Sequence, residues 1–227
     1  MYPIYMVSGC KGGVGKSIVS MALLDYLIKL GHDCLLIEAD TANDDVFKTY
    51  GNSVITEHVN LDTEEGWVEL VNLLDTHKDS IAVINFGARS NSGVTQYGET
   101  LMGLLESLKR ELVTFWVINT DRDGLELLKD YLAVVGSTLV HVVKNTYFGN
   151  DERFDLYNGS KLRQQVEAGG GKSLIFPKLL PMVSRVLYNN RQTIEVAIAD
   201  PSVPLGNRGV LIAWRKKCKE VFTEAIQ

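Results

Sequence analysis

Apolar residues in this chain fall into two alternating patterns: short unbroken runs, and longer segments in which they recur every third or fourth position. The runs Tyr2–Ser8, Cys34–Glu38, Ile81–Asn85, Leu112–Asn119 and Leu139–Lys144 have the length and β-branched content of strands buried on both faces, and Ser173–Phe176 is a weaker sixth. Helical spacing runs through Ser17–Leu30, which Gly31 ends, and through Glu64–Leu74, Tyr97–Lys109, Gly124–Val134 and Gly206–Ala225. Strands of this kind alternating with helices predict an α/β fold, a single domain whose mostly parallel sheet is flanked by helices. No internal repeat is visible. The glycine-rich stretch Gly149–Gly171 is expected to be a flexible insertion within the domain.

Composition narrows the setting. With 227 residues and 45% hydrophobic content, the chain can bury a substantial core. Cys10, Cys34 and Cys218 are odd in number and lack metal-ligand spacing, which argues against a disulfide framework and for a reducing, cytoplasmic location. The start MYPIYMVSGC lacks the basic opening and long apolar run of a signal peptide, and no apolar stretch is long enough to span a bilayer. The net charge of −5 gives no global reason to expect nucleic acid. Its distribution is uneven: eleven acidic residues face two lysines between Glu38 and Asp79, whereas Arg208–Lys219 holds five basic residues and no acid. Any polyanion contact is expected at that C-terminal end, although a solvated helix face is the plainer reading of such a run.

The chemistry is concentrated between the first strand and the first helix, in Ser8-Gly-Cys-Lys-Gly-Gly-Val-Gly-Lys-Ser17. A glycine turn joining a strand to a helix leaves the backbone amides of Gly12, Gly13, Val14, Gly15, Lys16 and Ser17 free to curl around an anion at the helix N-terminus. Lys16 is then placed to reach the β- and γ-phosphates of a nucleotide, and Ser17 to offer its hydroxyl to Mg²⁺. The loop departs from the common pattern G-x-x-x-x-G-K-[ST] at Cys10, where glycine is usual, and adds a second lysine, Lys11. Gly171-Lys172-Ser173 ends like such a loop, but its glycines precede a strand, so it lacks the helix N-terminus that phosphate binding requires.

Lys11-Gly-Gly-Val-Gly-Lys-Ser17 resembles the deviant Walker A motif of the ParA/MinD family of ATPases, in which the residue before the first lysine varies. The resemblance implies an ATP- and Mg²⁺-dependent switch that hydrolyses ATP slowly. It also implies a role for the second lysine: Lys11 would reach across a face-to-face homodimer to the ATP phosphates of the other subunit. A triphosphate held between two acidic monomers needs cations from both sides. Leu35-Leu-Ile-Glu-Ala-Asp40 is similar to the family's second motif, which makes Asp40 the residue that orients the attacking water; Glu38 stands where the family usually has aspartate. Ile81-Ala-Val-Ile-Asn85 aligns with the third motif, where Asn85 replaces the aspartate that holds metal-bound water, keeping an acceptor oxygen and losing the charge. Asn145, at the end of a strand, stands where the family sets an asparagine against adenine.

The run following Asn85 is similar to plasmid-encoded relatives of the TraL/StbB type, associated with conjugative transfer and plasmid maintenance. That likeness implies a protein that positions or partitions cargo through a protein adaptor and non-specific DNA. The alternative is a metabolic P-loop enzyme, such as a small-molecule kinase or an ATP-dependent ligase. Lys11 and the acid pair favour the switch, because a kinase needs an acceptor pocket and no lysine acting in trans. The segment Gly206–Ala225 is expected to dock on the sheet; lying on a membrane surface as an amphipathic helix is the competing reading.

Overall fold

The computed structural model describes residues 2–9, 11–87 and 91–226. Seven strands, β1 (Ile4–Gly9), β2 (Cys34–Glu38), β3 (Ile55–His58), β4 (Ile81–Asn85), β5 (Leu112–Ile118), β6 (Leu139–Asn145) and β7 (Ser173–Phe176), form one parallel sheet in the order β3-β2-β4-β1-β5-β6-β7. The central strand β1 is buried along its whole length, pairing Ile4 with Ala82 of β4 and with Leu112 of β5. Because successive side chains point to opposite faces, Tyr5 and Val7 enter one core while Ile4 and Met6 enter the other. This two-sided burial is why the run is continuously apolar.

The first core is covered by helix α1 (Lys16–Lys29) and the C-terminal helix Leu205–Ile226, the second by α3 (Glu64–Thr76) and the helix Asp123–Val135. Between β2 and β3 lies the short helix α2 (Asp45–Tyr50), and after β4 comes α4 (Asn91–Tyr97). Arg110 fastens the end of the sheet remote from the glycine loop. Its buried guanidinium donates to the carbonyls of Tyr2, Pro3, Leu74, His77 and Ser80, and burial draws its pKa down to about 10.

Three expectations change. The polar strand β3, with no fully buried residue, carried no apolar run to announce it. The single helix expected over Tyr97–Lys109 is instead two short turns, Glu99–Met102 and Leu105–Leu108, after α4 ends, with breaks at Gly98 and Gly103. The stretch Gly149–Gly171 contains the helix Lys161–Ala168 and gives Phe154, Tyr157 and Val166 to the second core, where a flexible insertion was expected.

The C-terminal helix docks on the sheet. It buries Leu211, Trp214, Cys218, Phe222 and Ala225, with the Trp214 indole donating to the Pro177 carbonyl at 2.7 Å. Among the described residues no helix is long and apolar enough to cross a membrane.

Candidate nucleotide-binding site

The loop leaves β1 through a gap that only glycine fits. A Cβ on Gly9 would lie 2.5 Å from the Val117 carbonyl oxygen on the neighbouring strand. Gly15, at φ +102°, occupies the left-handed region that favours glycine, and a Cβ there would meet the Asn145 amide at 2.3 Å. The close approach has a purpose: Asn145 Nδ2 donates to the Val14 carbonyl at 2.9 Å, and its Oδ1 accepts from the Tyr147 backbone at 3.1 Å. Asn145 thus braces the back of the loop from the end of β6. Cys10 lies outside the described residues, as do Ala88, Arg89 and Ser90 of the loop after the third motif.

The 14-residue α1 begins at Lys16 with no acid in its first turn, and its N-cap residue, Gly15, supplies no side-chain hydrogen bond. Such an uncapped N-terminus is an anion site in waiting. Lys16 is buried inside the loop, with Nζ donating to the Lys11 carbonyl at 3.1 Å. Gly12, Gly13, Gly15, Lys16, Ser17 and Asp40 line one open cleft of about 330 Å³, to which Asn43, Asp45 and Tyr188 also contribute. A lysine, helix amides and a hydroxyl lining one cleft fit a polyphosphate, and the Ser17 hydroxyl is the group there that would take its metal.

Lys11 turns the other way. Its ammonium lies 2.9 Å from Asp121 and 3.4 Å from Asp123, beyond the end of β5, and the three side chains are exposed. The two carboxylates raise the Lys11 pKa, while the Lys11 bond is the main cause of a lowered Asp121 pKa.

Below the cleft runs a buried polar chain. Ser20 Oγ donates to Asn85 Oδ1 at 2.8 Å, and Asn85 Nδ2 donates to Glu38 Oε1 at 2.7 Å. Glu38 also accepts from the backbones of Asp40 and Phe47, so one carboxylate ties the third motif to the Asp40 turn and to α2. Burial pushes the Glu38 pKa up to about 7, against the opposing pull of the Asn85 bond. Asn85 is wholly buried, with both polar side-chain atoms engaged in this chain. Asp40 stands at the cleft, its Oδ1 accepting from the amides of Ala42 and Asn43 at 3.2 Å each.

Sequence reasoning missed Asp121 and Asp123, Ser20, and the bond from Asn85 to Glu38. The nearest signal was the longer side chain of Glu38, which has the reach to meet Asn85 across the β2–β4 pair.

A loop of this build at the carboxyl end of a parallel sheet defines a nucleotide-binding P-loop domain. Residues 5–149 match the CobQ/CobB/MinD/ParA nucleotide-binding domain, and the chain belongs to that family. Among individual proteins it is 52% identical over 223 residues to Protein MobD of Acidithiobacillus ferrooxidans, covering 98% of this chain and 97% of that one. It is 24% identical to Protein TraL of Escherichia coli over 92% of both chains. The fold is similar to that in the MinC:MinD cell division protein complex of Aquifex aeolicus, with a TM-score of 0.59 at 14% identity over 99% of this chain and 97% of that one. It is also similar to an ADP-bound nucleotide-binding protein from Archaeoglobus fulgidus, with a TM-score of 0.50 at 13% identity over 83% and 86% of the two chains.

Proposed function

We propose that this protein is an ATP-dependent dimerising switch that positions or partitions cargo in plasmid DNA maintenance or transfer. The observation that carries the reading is the opposed orientation of the two loop lysines, Lys16 folded into the loop and Lys11 turned out to the surface. Lys16 and the amides from Gly12 to Ser17 hold the phosphates of ATP. Ser17 offers its hydroxyl to Mg²⁺, which when bound neutralises phosphate charge. Asp40, fixed through Oδ1 by its own turn, orients water with its other oxygen. Lys11 leaves Asp121 and Asp123 to meet the nucleotide of a second copy. Asn145 holds the loop on the side given to the base. Asn85, expected in the metal's water shell, acts from beneath as a support that aligns Glu38 and Ser20.

The two relatives, MobD and TraL, support this reading over a metabolic kinase or ligase. The discriminating experiment is ATP turnover with no metabolite present, with and without plasmid DNA. Slow turnover that needs no acceptor, and that DNA or an adaptor protein stimulates, supports the switch. Turnover that stays absent until a small-molecule acceptor is supplied refutes it.

A further inference from the structure

On the first face of the sheet, α1 and the C-terminal helix enclose a groove of about 360 Å³ that no residue of the P-loop lines. Its floor is apolar, built from the buried side chains of Ala22, Tyr26, Ile194, Trp214 and Cys218. At its lip two aliphatic side chains stand in solvent, Leu30 at 47% and Ile212 at 52% exposure.

The walls are cationic. Asp25, the one carboxylate lining the groove among the described residues, is held by Arg215 through two bonds of 2.7 Å, and Arg215 and Lys29 share Glu195. Those pairs nearly neutralise one another, but Lys216 and Lys219 line the same groove, are exposed, and make no ion pair among the described residues. An apolar trench flanked by uncompensated cations therefore lies on a protein whose net charge is −5.

Charge and shape together select the occupant. Cationic walls favour an anionic ligand. The floor needs apolar side chains, which a nucleic acid backbone lacks. A membrane surface needs a broad convex apolar face, yet the C-terminal helix buries Leu211, Trp214, Cys218, Phe222 and Ala225, leaves only Leu205 and Ile212 exposed among its described large apolar side chains, and the groove is concave. A peptide with apolar residues at helical or alternate spacing and acidic residues between them meets both demands. We propose that the groove between α1 and the C-terminal helix docks an acidic, amphipathic peptide segment of a partner protein. The inference stands on this groove alone and is independent of the nucleotide reading.

The test is selection of peptides from a random phage-displayed library on the folded wild-type protein, followed by fluorescence anisotropy with the selected peptides. Three variants confined to exposed side chains are compared, each verified by circular dichroism: Ile212→Asp, the double variant Lys216→Glu with Lys219→Glu, and Lys217→Glu on a residue outside the groove lining. The selected sequences are expected to combine acidic and apolar residues. Their affinity should fall about tenfold or more in the first two variants, stay within about twofold in the third, and weaken as salt is raised. Anionic phospholipid vesicles and double-stranded DNA should not displace them. Sequences without acidic enrichment, peptides that bind Ile212→Asp as well as wild type, failure to select any groove-dependent peptide, or displacement by vesicles or DNA would each overturn the proposal.

Discussion

Two groups of charges flank one loop and differ in almost every physical respect. Lys16, Glu38 and the Ser20–Asn85 link are buried and held by fixed hydrogen bonds, whereas Lys11, Asp121 and Asp123 are exposed and joined by surface ion pairs. A buried charge must be matched in place, because desolvation makes it costly to leave unpaired. A surface pair contributes little and is screened by salt, so it can be exchanged for another partner at small cost. The buried group is thus the fixed part of the site, ready for an anion. In the proposed switch the exposed group is the part that exchanges partners, handing Lys11 to a second molecule.

The largest effect should come from the buried cation. Lys16→Ala should weaken ATP binding by about 100-fold or more, since it removes the buried cation that makes a charge-assisted contact with phosphate. Isothermal titration calorimetry checks it, and near-normal affinity would break the comparison at once.

Next in size is Asn85→Asp, which sets a second carboxyl against Glu38 in place of a 2.7 Å hydrogen bond. Two buried carboxylates cannot both ionise there without mutual repulsion. The variant should lose roughly 1–3 kcal/mol of stability at neutral pH and recover part of it on acidification, as urea unfolding would show.

The pH dependence of the nucleotide-free protein sharpens the same point. Glu38 has a folded pKa of about 7 against an ordinary value of 4.5, so the folded state holds its proton more tightly. Its contribution is therefore favourable on the acid side and is lost as pH rises from 4.5 through about 7. His141 works in the opposite sense: burial pulls its pKa from 6.5 to about 4, so its contribution is lost as pH falls through that window. The two offset one another in the wild-type profile. In the difference between Glu38→Gln and wild type, His141 cancels, and the variant should gain on wild type between pH 5 and pH 8 by on the order of 2 kcal/mol. A difference independent of pH would remove Glu38 from the account.

The smallest effect belongs to the exposed acids. Asp121→Asn with Asp123→Asn should leave stability unchanged within error. It should modestly promote nucleotide-dependent self-association at low salt, by about twofold to threefold, and the gain should vanish as salt is raised.

What the sequence revealed follows the same divide between local and distant. The loop was legible because its chemistry is written in consecutive residues, and the inner strands because two-sided burial leaves an unbroken apolar run. Strand β3 was hidden by its polar edge position, and the expected Tyr97–Lys109 helix ignored the glycines that interrupt it. The partners of the charged groups were hidden for another reason. Lys11 and Asp123 lie 112 residues apart, Ser20 and Asn85 lie 65 apart, and Asn85 and Glu38 lie 47 apart. Only the sheet order brings them together, so no local pattern could show that Asn85 spends its amide on Glu38.

The central claim is that the two lysines of one loop serve two different molecules. Sedimentation velocity of wild type, Lys11→Ala and Lys16→Ala, each with Mg²⁺ and a non-hydrolysable ATP analogue, tests it directly when paired with nucleotide affinity measured on the monomers. The account predicts that wild type dimerises, that Lys16→Ala binds nucleotide about 100-fold or more weakly and does not dimerise, and that Lys11→Ala binds within about threefold of wild type yet stays monomeric. Equal loss of nucleotide affinity in both variants, or an ATP-dependent Lys11→Ala dimer, would contradict it.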